Sequence, residues 1–218
     1  MGRTIVLGDI HGCADELTDL LEKVVLDGTD RVVAVGDLTV KGPKSAAVLD
    51  RFIHDSRFSS VVGNHDLALL KRWENESFPL QPKQLETYDQ LRSNGDQYFY
   101  YLASLPLTID LGTHVVVHAG LRPRVPISEQ VEADLTELRT LGPDRTRRDG
   151  QPWYEEYDGD KIALFGHWPA NEPRRGRRAL GIDTGCVYGF RLTAYIIETD
   201  ELVDVAARKA YASPHKIN

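Results

Sequence analysis

Hydrophobic and polar positions follow two regimes along the chain. Five segments, "RTIVLGD", "RVVAVGD", "SSVVGNHD", "HVVVHAG" and "KIALFGH", are short runs rich in β-branched residues that stop abruptly at glycine or polar side chains. Such runs predict buried strands. Between the first two, Leu17, Leu20, Leu21 and Val24 of "ADELTDLLEKVV" recur at helical spacing, so a β-α-β unit opens the chain. A second helix is expected after Pro43, through "KSAAVLDRFI", leading to the third strand. The middle reads as helical: "DLALLKRWE", then "YDQLRSNGDQYFYYLASL" with a break near Gly95, then "SEQVEADLTELRTL". Strands return in "RALGID", "RLTAYIIET" and "ELVDVAARK". Residues 142–160, "GPDRTRRDGQPWYEEYDGD", read as a long surface loop. The alternation predicts an α/β layer architecture, and with no repeat or linker in sight a single domain over residues 1–218 is expected.

What ends each strand adds chemistry to this outline. The junctions carry Asp9 and His11 ("GDIHG"), Asp37 ("GDLTVKGP"), Asn64 and His65 ("GNHD"), His118 ("HAGL") and His167 ("GHWP"). One such junction is an ordinary turn. Recurring at successive strand ends, they would converge on one crevice, because the carboxyl ends of neighbouring strands in an α/β sheet meet there. A set of Asp, Asn and His without thiolates suits divalent first-row metals better than a structural zinc site. The set exceeds what one metal with open positions needs. Two ions sharing a carboxylate account for it, with Asp37, alone on its strand end, as the bridge. Asp9 and His11, two apart, would point the same way in an extended segment. A water between two such ions becomes a hydroxide near neutral pH and attacks phosphorus in line, so the chemistry expected is hydrolysis of phosphate esters or anhydrides.

Composition narrows the partners. The chain has 218 residues, 41% hydrophobic and 27% charged, which is an ordinary globular balance. No apolar run reaches the roughly 20 residues of a membrane span. The start lacks an apolar targeting segment, and Val6 stands where a myristoylation signal needs Ser or Thr, so a cytoplasmic location is expected. Cys13 and Cys186 are too few for a disulfide framework or a thiolate cluster. A net charge of −7 argues against general coating of nucleic acid.

Taken together, the motifs resemble those of the calcineurin-like metallophosphoesterases of the phosphoprotein-phosphatase superfamily, and the resemblance covers nearly the whole chain. It implies a four-layer sandwich of two mixed β-sheets flanked by helices. It also implies that Asp9, His11 and Asp37 bind one metal, that Asp37, Asn64, His118 and His167 bind the other, and that His65 is the general acid. Within the superfamily, "GDLTVKGP", "HAGLRP", "FGHWP" and the tail "GIDTGCVYGFRLTAYII" look most like the diadenosine tetraphosphatase (ApaH) branch and its ApaH-like relatives. The implied reaction is hydrolysis of a dinucleoside polyphosphate, typically to two nucleoside diphosphates, with Mn2+ favoured and Co2+, Fe or Zn2+ as alternatives.

The chain departs from the protein phosphatases at "GDLTVKG". Val40 replaces the acidic residue that orients the general-acid histidine there, and Lys41 replaces a phosphate-gripping Arg, keeping the charge without the planar fork. Asp66 is the nearest sequence candidate to stand in for the missing carboxylate. Phosphate binding is expected from Lys41 and, among the loop arginines, from Arg147 or Arg148; Trp168, beside His167, offers a face for a purine. Asp183 and Cys186 read as structural. The rival readings are a phosphoprotein phosphatase of the same fold, an endopolyphosphatase or cap-removing relative, and a metal-bound binding module without catalysis.

Overall fold

The computed structural model describes residues 2–213, so Met1 and residues 214–218 of the expected domain lie outside the described residues. The first sheet begins with β1 (Thr4–Leu7), β2 (Arg31–Ala34) and β3 (Phe58–Ser60), all parallel. Helix α1 (Ala14–Lys23) crosses from β1 to β2 and α2 (Ser45–His54) from β2 to β3. Next come α3 (Asn64–Glu74), α4 (Pro82–Ser93) and α5 (Gln97–Ala103), the last two parted at Gly95, whose φ of +110° ends the helix where the break was expected. The second sheet is built from β4 (Thr108–Asp110) and β5 (His114–Val117) and, after α6 (Glu132–Glu137), the ribbon β6 (Thr140–Leu141) with β7 (Gln151–Pro152) and α7 (Trp153–Glu156), from β8 (Ile162–Phe165), β9 (Arg174–Arg175) and β10 (Ala179–Gly181). The final hairpin, β11 (Arg191–Ile196) and β12 (Glu201–Ala206), returns to the first sheet.

Spatial order is β12-β11-β1-β2-β3 in one five-stranded sheet and β4-β5-β8-β10-β9 in the other. Both are mixed: β11 runs antiparallel to β1, and β4 and β9 run antiparallel to β5 and β10. Successive side chains of a strand point to opposite faces, and the core divides accordingly. Ile5 and Leu7 pack with the helices of the first sheet, while Val6 faces the other way with Val33, Val116, Leu164 and Leu180. Val115, Val117, Ala163 and Phe165 pack with Leu135, Trp153 and Tyr154 on the outer side of the second sheet. The outcome is four layers, helices on sheet on sheet on helices.

Two expectations change. "SEQVEADLTELRTL" is not one helix: Gln130 and Val131 are extended, α6 is short, and Thr140–Leu141 is already a strand paired with Gln151–Pro152. Residues 142–160 are not all surface loop either. Trp153 is fully buried, with Tyr154 and Tyr157 beside it, because burying three aromatic side chains outweighs the polar character of their neighbours.

Candidate active site

Each motif sits just past the carboxyl end of a parallel strand. Asp9 and His11 follow β1, Asp37 follows β2, Asn64 and His65 open α3 after β3, His118 follows β5, and His167 follows β8. Both sheets present these ends to one place, so a single crevice gathers side chains from residue 9 to residue 167. Its backbone is bent to do so. His11, Asp37, Val40, Lys41 and His167 have φ of +48, +48, +71, +67 and +64°, a left-handed conformation that costs a residue with a Cβ about 1–3 kcal/mol and gathers at functional sites. His11 is therefore in a turn, not in the extended segment its spacing from Asp9 suggested. Hydrogen bonds between the two loops hold this shape: His11 N donates to Asp37 O at 2.7 Å and Gly12 N to Leu38 O at 2.9 Å. Two glycines make room for carboxylates, since a Cβ on Gly63 would collide with Asp37 and one on Gly166 with Asp9.

The hydrogens in the crevice do not match its lone pairs. His11 Nδ1 lies 3.0 Å from Thr39 O and His118 Nδ1 2.8 Å from Val35 O, and a carbonyl oxygen only accepts, so the hydrogen of each neutral ring is on Nδ1. Their Nε2 lone pairs then lie among acceptors, although Lys41 Nζ also reaches that of His11: His11 Nε2 is 3.4 Å from Asp37 Oδ2 and 3.9 Å from Asp9 Oδ2, and His118 Nε2 is 3.1 Å from Asn64 Oδ1 and 3.6 Å from Asp37 Oδ2. Asn64 Oδ1 also lies 3.0 Å from His167 Nδ1, and His167 Nε2 is buried without a hydrogen-bond partner among the described residues. Converging oxygen and nitrogen lone pairs short of hydrogens fit divalent cations, and the carbonyls behind His11 and His118 fix the tautomers that ligation requires. Asp9, Asp37 and His118 place ligand atoms within 4.8 Å of one another, as do His11, Asp37 and His65, so Asp37 is common to both groups.

Electrostatics agree with that donor set. Burial, with Lys41 next, holds the imidazoles of His11 and His65 well below the ordinary histidine range, and burial lowers His118 to about 4. His167 is held well down by burial and by Arg139. The rings are thus neutral at pH 7, and their lone pairs are available to a cation or a donor. Asp9 is pushed well up by burial and by the charges of Asp183 and Asp37; burial pushes Asp37 and Asp183 up to about 6. Carboxylates crowded this way are relieved by a cation.

A cavity of about 220 Å³ opens over this floor, lined by His11, Asp37, Asn64, His65, His167 and Asp183 and by the cations Lys41, Arg139 and Arg148. Lys41 Nζ sits 2.9 Å from His11 Nε2 and 5.4 Å above the Tyr188 ring. Of the two expected loop arginines, Arg148 lines the cavity, whereas Arg147 is exposed, does not line it, and pairs with Asp149 at 2.7 Å. Trp168 does not line it either: the ring is buried against Tyr154, and the Arg174 guanidinium covers it at 4.4 Å, so no face is left for a base. Sequence reasoning missed Arg139, which stands in what reads as an amphipathic helix; burial and the neighbouring Arg148 lower its pKa to about 10. Asp183, expected to be structural, lines the cavity.

Asp66 does not take over the missing acidic role. Its oxygens accept from Thr39 Oγ1 at 2.6 Å and from the backbone N–H groups of Thr39, Leu38 and Gly63 at 3.1, 3.2 and 3.3 Å, which ties the Asp37 loop to the start of α3. The neighbour of His65 is Gln84, from α4, with Nε2 3.2 Å from His65 Nδ1.

Residues 2–201 match the family model of the calcineurin-like phosphoesterases. The chain is 29% identical to a symmetrical bis(5'-nucleosyl)-tetraphosphatase of Neisseria meningitidis, over 92% of this chain and 94% of that protein. It is 31% identical to the asymmetrical bis(5'-nucleosyl)-tetraphosphatase PrpE of Bacillus subtilis, over 94% and 95%. A crystal structure provisionally described as a diadenosine tetraphosphatase superposes with a TM-score of 0.81 at 34% identity, covering 94% of each chain. A serine/threonine phosphatase of Saccharomyces cerevisiae shares the fold, with a TM-score of 0.63 at 17% identity over 99% of this chain and 81% of that one.

Proposed function

The chain belongs to the calcineurin-like phosphoesterases, and from that premise we propose that it hydrolyses dinucleoside polyphosphates, cutting diadenosine tetraphosphate into two molecules of ADP with Mn2+ as the preferred metal. The observation that carries this reading is the trio of cations, Lys41, Arg139 and Arg148, around one small cavity above the metal-ligand set. One phosphate monoester does not need three. A chain of phosphates does, and the arginine forks suit its oxygens. Relatives that act on bis(5'-nucleosyl) tetraphosphates, matched over almost their full length, support the substrate class. They include both cleavage modes; the symmetrical cut follows the likeness of the tail motif to the diadenosine tetraphosphatase branch.

Two divalent ions held by Asp9, His11, Asp37, Asn64, His118 and His167, with Asp37 shared, would supply positive charge to the attacked phosphoryl group and acidify water. The chain's own groups do the rest. Arg139, Arg148 and Lys41 neutralise and align the polyphosphate, which holds the reacting phosphorus in place. His65, backed by Gln84 and with its backbone N–H bonded to Asp37 Oδ1 at 3.0 Å, faces the leaving oxygen.

The test is incubation with Mn2+ and diadenosine tetraphosphate, nucleotides resolved by chromatography, with a phosphothreonine peptide alongside. ADP as sole product is expected. ATP with AMP would replace the symmetrical cut by the asymmetrical one, and peptide dephosphorylation without nucleotide turnover would overturn the substrate class. His65→Asn should keep its metal, read by elemental analysis, and lose about 10²–10⁴-fold in turnover. Asp37→Asn should lose metal as well.

A further inference from the structure

The two cysteines, remote in sequence, meet in the fold. Cys13 caps the start of α1, and Cys186 begins a single turn, Cys186–Tyr188, just after Asp183. Both are buried free thiols. Glu16, fully buried in the first turn of α1, joins them: a carboxylate oxygen of Glu16 and the two sulfurs all lie within 4.8 Å of one another. A glutamate at this third helical position usually reaches back to the N–H of the capping residue. Here that N–H is taken, since Cys13 N donates to Ile10 O at 3.0 Å. Glu16 Oε1 instead accepts Arg208 N at 3.0 Å and Tyr211 Oη at 2.8 Å, while Oε2 is buried without a hydrogen-bond partner among the described residues. The Arg208 guanidinium does not neutralise this carboxylate, being paired with Asp19 at 2.9 Å and Asp15 at 3.2 Å. A buried carboxylate oxygen beside two thiols, with neither donor nor paired cation, is unfavourable on its own.

We propose that Cys13, Cys186 and Glu16 form a metal site separate from the catalytic crevice, and that it takes a thiophilic divalent cation of the Zn2+ kind. The donor set decides the class. Two sulfurs and a carboxylate oxygen are ligands that zinc accepts in tetrahedral sites, whereas the crevice offers oxygen and nitrogen alone. With Zn–S near ~2.3 Å, two thiolates at the tetrahedral angle stand about 3.8 Å apart, within the 4.8 Å spread of the three groups. On binding, each thiol releases its proton to solvent and its sulfur bonds the cation, so no oxidant or reductant takes part. Oε2 supplies the carboxylate bond, and Arg208 N and Tyr211 Oη hold the other oxygen, as outer hydrogen bonds do for ligating carboxylates. One position of the tetrahedron is left to water. The amino end of α1 favours the negative charge that remains. A cation here ties α1 to the turn that carries Tyr188 and, through Glu16, to the segment of Arg208 and Tyr211, and so braces Tyr188 and Asp183 in the cavity wall. The inference goes beyond the nucleotide reading and does not rest on it.

The experiment titrates Co2+ into the metal-free, reduced full chain. Thiolate bonded to Co2+ gives an intense near-ultraviolet charge-transfer band that oxygen and nitrogen ligands do not give, so the sulfur site reports apart from the crevice. The wild type should show that band, saturating at one sulfur-bound Co2+ per chain and bleached by Zn2+. Asp37→Asn, altered in the crevice, should keep it. Cys13→Ser and Cys186→Ser, checked for folding by circular dichroism, should lose it, and Glu16→Gln should weaken Co2+ at this site by about tenfold or more. Cadmium-113 spectra of the wild type need no variant and should show one resonance in the thiolate range. A wild type with both thiols free by chemical titration and no near-ultraviolet band would overturn the proposal, as would a band that survives Cys186→Ser. Neither readout involves turnover, so failure here and failure of the nucleotide reading are separate results.

Discussion

At the scale of single residues, the floor of the crevice was legible because most of its members end a buried strand close to a glycine: Asp9, Asp37, Asn64, His118 and His167 could be picked out by position alone. The cavity wall was not legible. Arg139 sits in a segment whose local pattern says only "helix" and Gln84 in a stretch to which the pattern assigned no element, and what makes each one matter is the tertiary neighbour, Arg148 for the first and His65 for the second. Trp168 shows the opposite error, a residue adjacent in sequence to the crevice's His167 whose own side chain turns away into the core. The prediction at this scale contrasts two arginines. Arg139→Ala should raise KM for a dinucleoside tetraphosphate by at least about tenfold, since a charge-assisted contact is worth roughly 1.5–3 kcal/mol; Arg147→Ala, at a side chain paired with Asp149 outside the cavity, should change it by less than about twofold, given how little exposed ion pairs contribute. Steady-state kinetics on both variants decides it.

Elements were legible wherever burial on both faces made the run mostly apolar after its first residue, as in "TIVL", "RVVA", "HVVV" and "IALF". Those whose existence depends on a partner were not. Strand β4 reads as nothing until β5 lies beside it, and α7 is four residues fixed by where Trp153 is buried. A similar tie sets how the first strand is anchored. Asp30, just before β2, accepts from Arg3 N at 2.9 Å, Arg3 Nε at 3.2 Å, Arg3 Nη2 at 2.5 Å and Asp27 N at 3.0 Å. The Arg3 hydrogen bond, first among these, holds the Asp30 carboxyl well below the usual carboxylate range. A depressed folded pKa means that the unfolded chain takes up the proton first. The stabilisation is therefore complete above about pH 4 and is lost as pH falls through the lower, folded value. Urea melts should accordingly show wild type more stable than Asp30→Asn by about 1.5–3 kcal/mol at pH 7, with the gap closing as pH falls below about 4.

For the whole molecule, the decisive layer is the one between the sheets. Leu164 of β8 is fully buried there among Val6, Val33, Val116 and Leu180, so Leu164→Ala should cost about 2–5 kcal/mol in denaturant unfolding. A loss under about 1 kcal/mol would mean the sheets are not packed as described. The same layer holds the two halves of the crevice together, since Asp9 and Asp37 come from one sheet and His118 and His167 from the other. Strand order adds a consequence for synthesis on the ribosome. β1 takes its place between β2 and β11, and β11 spans residues 191–196. At about 5–20 residues per second, the first strand emerges roughly 10–40 s before its partner has been made. Throughout that interval the nascent chain exposes an apolar edge whose hydrogen bonds are promised to a hairpin that does not yet exist, so any tendency to aggregate before release is expected to follow from the topology and to be relieved little by single substitutions.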